Sequence, residues 1–269
     1  MQNKPTDTLY PLNDALFQRL RQQWFQDPQR EVSKDEYIAV AQEWFRSTRL
    51  NNLTGWDAFP CVDSTMGCTH FIESVAGKHG WNNIQILPDE YSYYSKMGMA
   101  PTQPGQLRPG VPLMLSLPNH SYTDVRPDWP DVLAECEAKN IDIHIDCAWL
   151  TCSRDITLNF DHPRIQSFAM SMSKYSLEWN RIGLRWARKR YIDSITMFNH
   201  LYRGRVNLSL MSCGVYMMQN IPRDHAWNTY GELHHKICND LNLLPTKAIH
   251  VAYCNQTHKN VGIGNMLSE

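Results

Sequence analysis

Several features that would assign this chain of 269 residues at once are missing from it. Lys and Arg total 26 against 27 Asp and Glu, a formal net charge of −1, so there is no basic surplus of the kind nucleic-acid binders carry. No apolar run approaches the roughly 20 residues that a membrane-spanning helix needs. The opening stretch, MQNKPTDTLYPLNDALFQRL, is polar and has no apolar core; no secretory signal is expected, and the cytosol is the expected compartment. Neither CxxC nor HExxH occurs, and there is no internal repeat or low-complexity segment. His234, His235 and Cys238 set possible ligands one helical turn apart, but the remainder of a zinc site is missing and no metal is expected. Neither nucleic acid nor membrane is expected as a partner.

The residues present suit a large globular core. Hydrophobic residues make up 42% of the chain and charged residues 20%, ordinary values for a globular protein. The 8 cysteines are scattered, and Cys147, Cys213 and Cys254 sit in apolar stretches. They read as reduced small hydrophobes, not as a disulfide framework.

Residues 1–48 form an expected N-terminal helical arm. Asn13 can cap a run in which Leu16, Leu20 and Trp24 recur at helical spacing, and Ser33 with Glu36 makes a capping box before Tyr37, Val40, Ala41 and Trp44. From about Gly55 strands and helices alternate. Asn83–Leu87, Val111–Leu117, Ile141–Asp146, Ile165–Met170 and Arg181–Ala187 read as strands, with helices at Thr69–Ala76 and after Trp129. A long helical stretch, Asp224–Leu243, and a strand-like Ala248–Tyr253 follow. This order predicts an α/β fold, a three-layer sandwich with a mainly parallel central sheet.

In such sheets ligands bind beyond the carboxyl ends of the strands. Found there are Pro118-Asn119, Asp146-Cys147-Ala148-Trp149 and Ser171-Met172-Ser173-Lys174, with Arg181 soon after. Upstream, Ser64 to Thr69 makes a small-residue turn directly before a helix. Each piece alone has an ordinary reading, as a cap, a turn residue or a surface serine; their order and spacing point to one cofactor.

The stretch from Gly67 to Arg181 resembles the large domain of fold-type I pyridoxal-phosphate enzymes of the aminotransferase class I/II group. The matching motifs are Gly67-Cys68-Thr69, Pro118-Asn119, Asp146-Cys147-Ala148-Trp149, Ser171-Met172-Ser173-Lys174 and Arg181-Ile182-Gly183. The resemblance implies pyridoxal 5'-phosphate as cofactor and a cofactor-binding large domain at 49–223. It implies a linking helix and a reduced C-terminal small domain at 224–269. It makes Lys174 the Schiff-base lysine and proton shuttle, and Asp146 the partner of the pyridine nitrogen. Asn119 would donate to the ring oxygen, and Tyr91 would stack on the ring, with Tyr93 and Tyr94 as alternatives or simple core aromatics. Cys68 and Thr69 at a helix start, with Ser171, Ser173 and Arg181, would clamp the phosphate.

Four departures from the family stand out. Trp149 occupies a position commonly held by Tyr. Arg181 follows Lys174 by one residue fewer than usual. The C-terminal part is short. No Arg follows Arg223, leaving Arg108, Arg126 and Arg205 as arginines that could hold a substrate carboxylate, or Lys247, His258 and Lys259 as later cations. The expected function is a pyridoxal-phosphate enzyme acting on an amino-acid or amine substrate, most simply by transamination. The alternatives are a lyase or decarboxylase on the same fold, or a non-catalytic relative serving as a binding subunit. A homodimer with shared active sites is expected, the N-terminal helices with Phe17, Trp24, Tyr37 and Trp44 covering the partner.

Overall fold

The structure, a computed structural model, describes residues 4–9, 11–12, 14–26, 31–174, 181–201 and 207–267. Asn13 and Arg205 lie outside the described residues. In chain order the elements begin with α1 (Ala15–Gln26), α2 (Lys34–Arg46), β1 (Asn52–Thr54) and β2 (Cys61–Thr65). There follow α3 (Gly67–His79), β3 (Gln85–Ile86), α4 (Ser92–Lys96), β4 (Ala100–Pro101), β5 (Leu113–Ser116) and α5 (Trp129–Ala138). Next come β6 (Ile143–Asp146), β7 (Thr157–Asn159), β8 (Ile165–Ser171), β9 (Gly183–Ala187) and the single turn α6 (Ser194–Thr196). The chain continues through α7 (Leu208–Asn220), α8 (His225–Asp240), β10 (Leu244–Pro245), β11 (Val251–Cys254) and β12 (Lys259–Gly262).

Seven strands make the central sheet in the order β2-β9-β8-β6-β5-β3-β4. From β4 to β8 every pairing is parallel, whereas β9 lies antiparallel between β8 and β2. The expected sandwich with a mainly parallel sheet is therefore the observed fold. One face carries α3 and α4, where Phe71, Ile72, Val75 and Tyr94 are buried over the sheet. The other face carries α1, α2, α5, α7 and α8 around Tyr37, Phe45, Trp186 and Met217. Covered on both faces, β5 and β6 are buried along their whole length.

That double cover explains a misleading pattern in β6. Ile143 and Ile145 flank a polar His144, which resembles a strand with one wet face. His144 is in fact buried, and its Nδ1 pairs with Ser167 Oγ at 2.7 Å on the neighbouring β8. Burial pushes its pKa down to about 3.

Strand β2, the run Leu208–Asn220 and the short strands β1, β4, β7 and β12 were not legible as elements. Strand β2 carries Asp63, 0% exposed, which stands directly opposite Arg185 of β9 and takes a hydrogen bond from its Nη2 at 2.5 Å. A charged residue in the middle of a short strand disguises β2, whereas β9 was legible within Arg181–Ala187.

The four aromatic residues of the N-terminal helices expected to cover a partner are used within this chain. Phe17, Trp24, Tyr37 and Trp44 are buried in this chain's own core. Tyr37 Oη donates to the Gly183 carbonyl at 3.1 Å, and Trp44 Nε1 donates to the Ile221 carbonyl at 2.8 Å. The Ser33 cap forms as expected, accepting from the Glu36 N–H, whereas α1 is capped by Asp14, whose Oδ1 accepts from Phe17 N–H at 2.9 Å.

All eight cysteines are free thiols. His234 is buried and spends its Nε2 on the Val251 carbonyl, and no cluster of three metal-ligating side chains occurs among the described residues. Among them, too, no helix is long and apolar enough to cross a membrane.

Candidate active site

Because β5, β6 and β8 run parallel, their carboxyl ends Ser116, Asp146 and Ser171 emerge at one edge of the sheet. A cavity of about 550 Å³ opens there. Its walls bring together Cys68, Thr69, Tyr91, Asp146, Trp149, Ser173, Lys174 and Arg181. Gly67, Asn119 and Ser171 are buried behind that wall.

One part of the cavity suits an anion. Arg181 Nη1 donates to Thr69 Oγ1 at 2.6 Å, next to the first turn of α3, where unpaired N–H groups and the helix dipole favour negative charge. Gly67 makes that approach feasible. Its φ of +73° is in the left-handed region, and a Cβ there would stand 3.3 Å from Arg181 Cβ. The Ser171 hydroxyl stands behind, 2.8 Å from that of Ser173.

The floor carries a buried carboxylate. Asp146 is 5% exposed and forms no ion pair among the described residues. Its Oδ1 accepts from Ala148 N–H at 2.9 Å and its Oδ2 from Tyr94 Oη at 3.1 Å. Burial raises its pKa, and the Cys68 thiol, these hydrogen bonds and the Lys174 charge only partly oppose that. A cationic group placed against it would offset the cost of its burial.

Lys174 supplies an amine on the same walls. Burial and the neighbouring Arg181 charge lower its pKa, while Cys152 and Asp146 pull the other way; the net direction favours the free, nucleophilic amine. Its Nζ donates to the Leu9 carbonyl at 3.1 Å. Asp7, Thr8 and Leu9 line the cavity mouth, held there by a two-way backbone pairing of Thr6 with Gly262 of β12.

The three tyrosines separate by depth. Tyr91 is 40% exposed and lines the cavity, Tyr94 is wholly buried against Asp146, and Tyr93 Oη donates to Glu73 at 3.0 Å on the outside. Asn119 does not face the cavity. Its Oδ1 accepts from Ser121 and Tyr122 N–H groups, and its Nδ2 donates to Glu90 Oε1 at 3.0 Å. The wall is formed instead by His120, whose ring is stacked on Tyr91 at 5.5 Å and tilted against Trp149 at 4.7 Å. Sequence reasoning assigned no role to His120, Glu90 or Asn260, although His120 adjoins Asn119 and Glu90 adjoins Tyr91; Tyr94 was named only as an alternative to Tyr91 or a core aromatic.

Of the arginines that could hold a carboxylate, Arg126 is buried and forked onto Asp128, and Arg108 is exposed away from the cavity. Lys247 is paired with Asp124 at 2.6 Å. None of these, nor His258 or Lys259, lines the cavity.

No protein-family model and no curated protein sequence matches the chain. Solved structures do resemble it. The PLP-bound C-S lyase from Staphylococcus hominis aligns with a TM-score of 0.57 and 10% identity, over 92% of this chain and 73% of that one. A probable N-succinyldiaminopimelate aminotransferase from Thermus thermophilus gives 0.57 and 15%, over 92% and 76%. The aromatic aminotransferase from Pyrococcus horikoshii gives 0.59 and 9%, over 94% and 80%. At these identities the likeness is one of fold, and the chain has the aminotransferase-like α/β fold.

Proposed function

We propose that this chain is a pyridoxal 5'-phosphate enzyme acting on the amino group of a small amino acid or amine, with transamination as its reaction. The observation that carries the reading is the buried Asp146, which forms no ion pair among the described residues, sharing one cavity with Lys174 and with the Arg181–Thr69 anion site. That donor set suits a group with a phosphate at one end and a basic ring nitrogen at the other.

In this reading Arg181, Thr69, Ser173 and the N–H groups at the start of α3 hold the phosphate. Asp146 faces the ring nitrogen and keeps it protonated; Tyr91 covers a ring face. Bound pyridoxal phosphate supplies an electron sink for the pair left on the substrate carbon. Lys174 carries the cofactor and then, as a free amine, takes and returns the proton at that carbon. Lyase or decarboxylase chemistry would use the same residues and differ only in the bond aligned for cleavage.

The working unit we assign is a homodimer. Met66 beside α3 is 51% exposed, Phe198 38% and Leu208 41%. Met66 and Phe198 line a small cleft that also contains Arg181, so a second copy packed there would bury apolar surface beside the phosphate end.

Purified protein incubated with pyridoxal phosphate should develop a visible absorption band that changes when amines are added. A panel of amino donors with a keto-acid acceptor then separates the reactions: amino transfer to the acceptor supports transamination, and acceptor-independent release of ammonia, thiol or carbon dioxide supports the alternatives. No visible band would refute the cofactor reading.

A further inference from the structure

The loop after β5 offers the cavity a side chain other than the one its motif suggests. Asn119 is wholly buried and engaged at both polar atoms: its carbonyl oxygen caps the turn through Ser121 and Tyr122, and its amide donates to Glu90. Glu90 is itself fixed, accepting at its other oxygen from the Ser116 N–H at 2.9 Å and from the Ser116 hydroxyl. This clamp turns Asn119 away from the cavity and leaves His120 on the wall.

His120 is oriented but unsatisfied. Its ring is held between the faces of Tyr91 and Trp149, and its main-chain oxygen is gripped by Asn260 Nδ2 at 2.9 Å. Among the described residues, neither ring nitrogen has a hydrogen-bond partner. A side chain immobilised by stacking, with free polar atoms on a cavity wall, is built for a ligand.

Resting on the cofactor reading above, we infer that His120, and not Asn119, is the side chain that hydrogen-bonds bound pyridoxal phosphate on the Lys174 side of the cavity. Burial and, without cofactor, the Lys174 charge both lower the His120 pKa; a neutral imidazole offers one nitrogen as donor and the other as acceptor. Lys174 is the charge that acts on it; Tyr91 lies against one face, and His250 stands behind Trp149 at a ring distance of 5.1 Å. Asp146, Asp7, Lys96, Arg181 and Cys68 complete the ionisable groups of the walls.

The test is an absorbance titration of the full-length protein loaded with pyridoxal phosphate, comparing wild type with His120→Phe, His120→Gln and Asn119→Ser. Loss of a hydrogen bond to a charged ligand group is worth about tenfold or more in affinity. His120→Phe should therefore weaken cofactor binding by about tenfold and move the pH midpoint of the visible band by about one unit. His120→Gln, which can still donate, should recover part of both. Asn119→Ser should lower the melting temperature, because the loop loses its link to Glu90, yet leave the midpoint in place. A midpoint that moves in Asn119→Ser and stays in His120→Phe overturns the inference, as does one that moves in neither. If the wild type forms no band at all, the cofactor reading itself has failed, a result distinct from either.

Discussion

Lys174 Nζ donates to the main-chain oxygen of Leu9 across 165 positions of sequence, at 3.1 Å. The amine proposed to carry the cofactor is thus held by the segment that covers the cavity mouth. Its depressed pKa follows from that enclosure. We expect borohydride reduction of the pyridoxal-phosphate-loaded protein to place the pyridoxyl group on Lys174, read by peptide mapping. Lys174→Ala should show neither adduct nor visible band; an adduct on another lysine would exclude the assignment.

Asp146→Asn should separate stability from function. The folded-state pKa of Asp146 is raised, so its charged form is disfavoured on folding. That penalty is absent below the unfolded value and grows as pH rises through the folded pKa. The cofactor-free variant should therefore melt no lower than wild type at pH 7. Its affinity for pyridoxal phosphate should fall by about 2–5 kcal/mol, the cost of removing one member of a buried charge pair. Thermal melts with and without cofactor decide it.

The Asp63–Arg185 pair should govern acid stability. Arg185 also reaches Asp193, while His200 Nε2 lies 2.6 Å from Asp63. Burial by itself would raise the Asp63 pKa, but Arg185 and His200 outweigh it and hold the acid below its usual value. The stabilisation is therefore complete above about pH 4 and is lost as pH falls through the depressed pKa. Arg185→Met, which strands the buried carboxylate, should cost about 3–5 kcal/mol at pH 7. Denaturant melts at pH 7 and pH 3 test both statements.

Glu90→Gln should change the pH profile in the opposite sense. Burial lifts the Glu90 pKa to about 7, against hydrogen bonds from Ser116 and Asn119. A raised acid loses stability as pH climbs from the ordinary carboxylate range through 7. The wild-type melting temperature should decline over that window, and the decline should flatten in Glu90→Gln.

Gly262→Ala should loosen the cavity mouth. A Cβ at Gly262 would come within 2.3 Å of the Thr8 carbonyl oxygen, so the N-terminal segment must move. Overpacking of this kind costs about 1–3 kcal/mol. Amide exchange at residues 4–9 should quicken, and Lys174 should lose its contact with Leu9, visible as a changed rate of adduct formation with pyridoxal phosphate.

Local rules carried much of this protein. The positions of Asp146, Lys174, Arg181 and the Gly67 turn follow from strand ends and helix starts, which depend on neighbours a few residues away. The buried runs of β5 and β8 are legible for the same reason, since an apolar strand needs only its own residues to declare itself. Other features needed the assembled fold. His144 looks solvent-facing along β6 until β8 brings Ser167 to it, and Asp63 and Arg185 explain each other only once β2 and β9 are in register. Whether Asn119 or His120 meets the cavity is settled by Glu90, 29 positions earlier, and the hydroxyl on Asp146 comes from Tyr94, 52 positions earlier. Spacing along a chain fixes which side chains share a helix face or a strand end. Which distant polar atom satisfies a buried one depends on sheet order and register, and those exist only in the folded molecule.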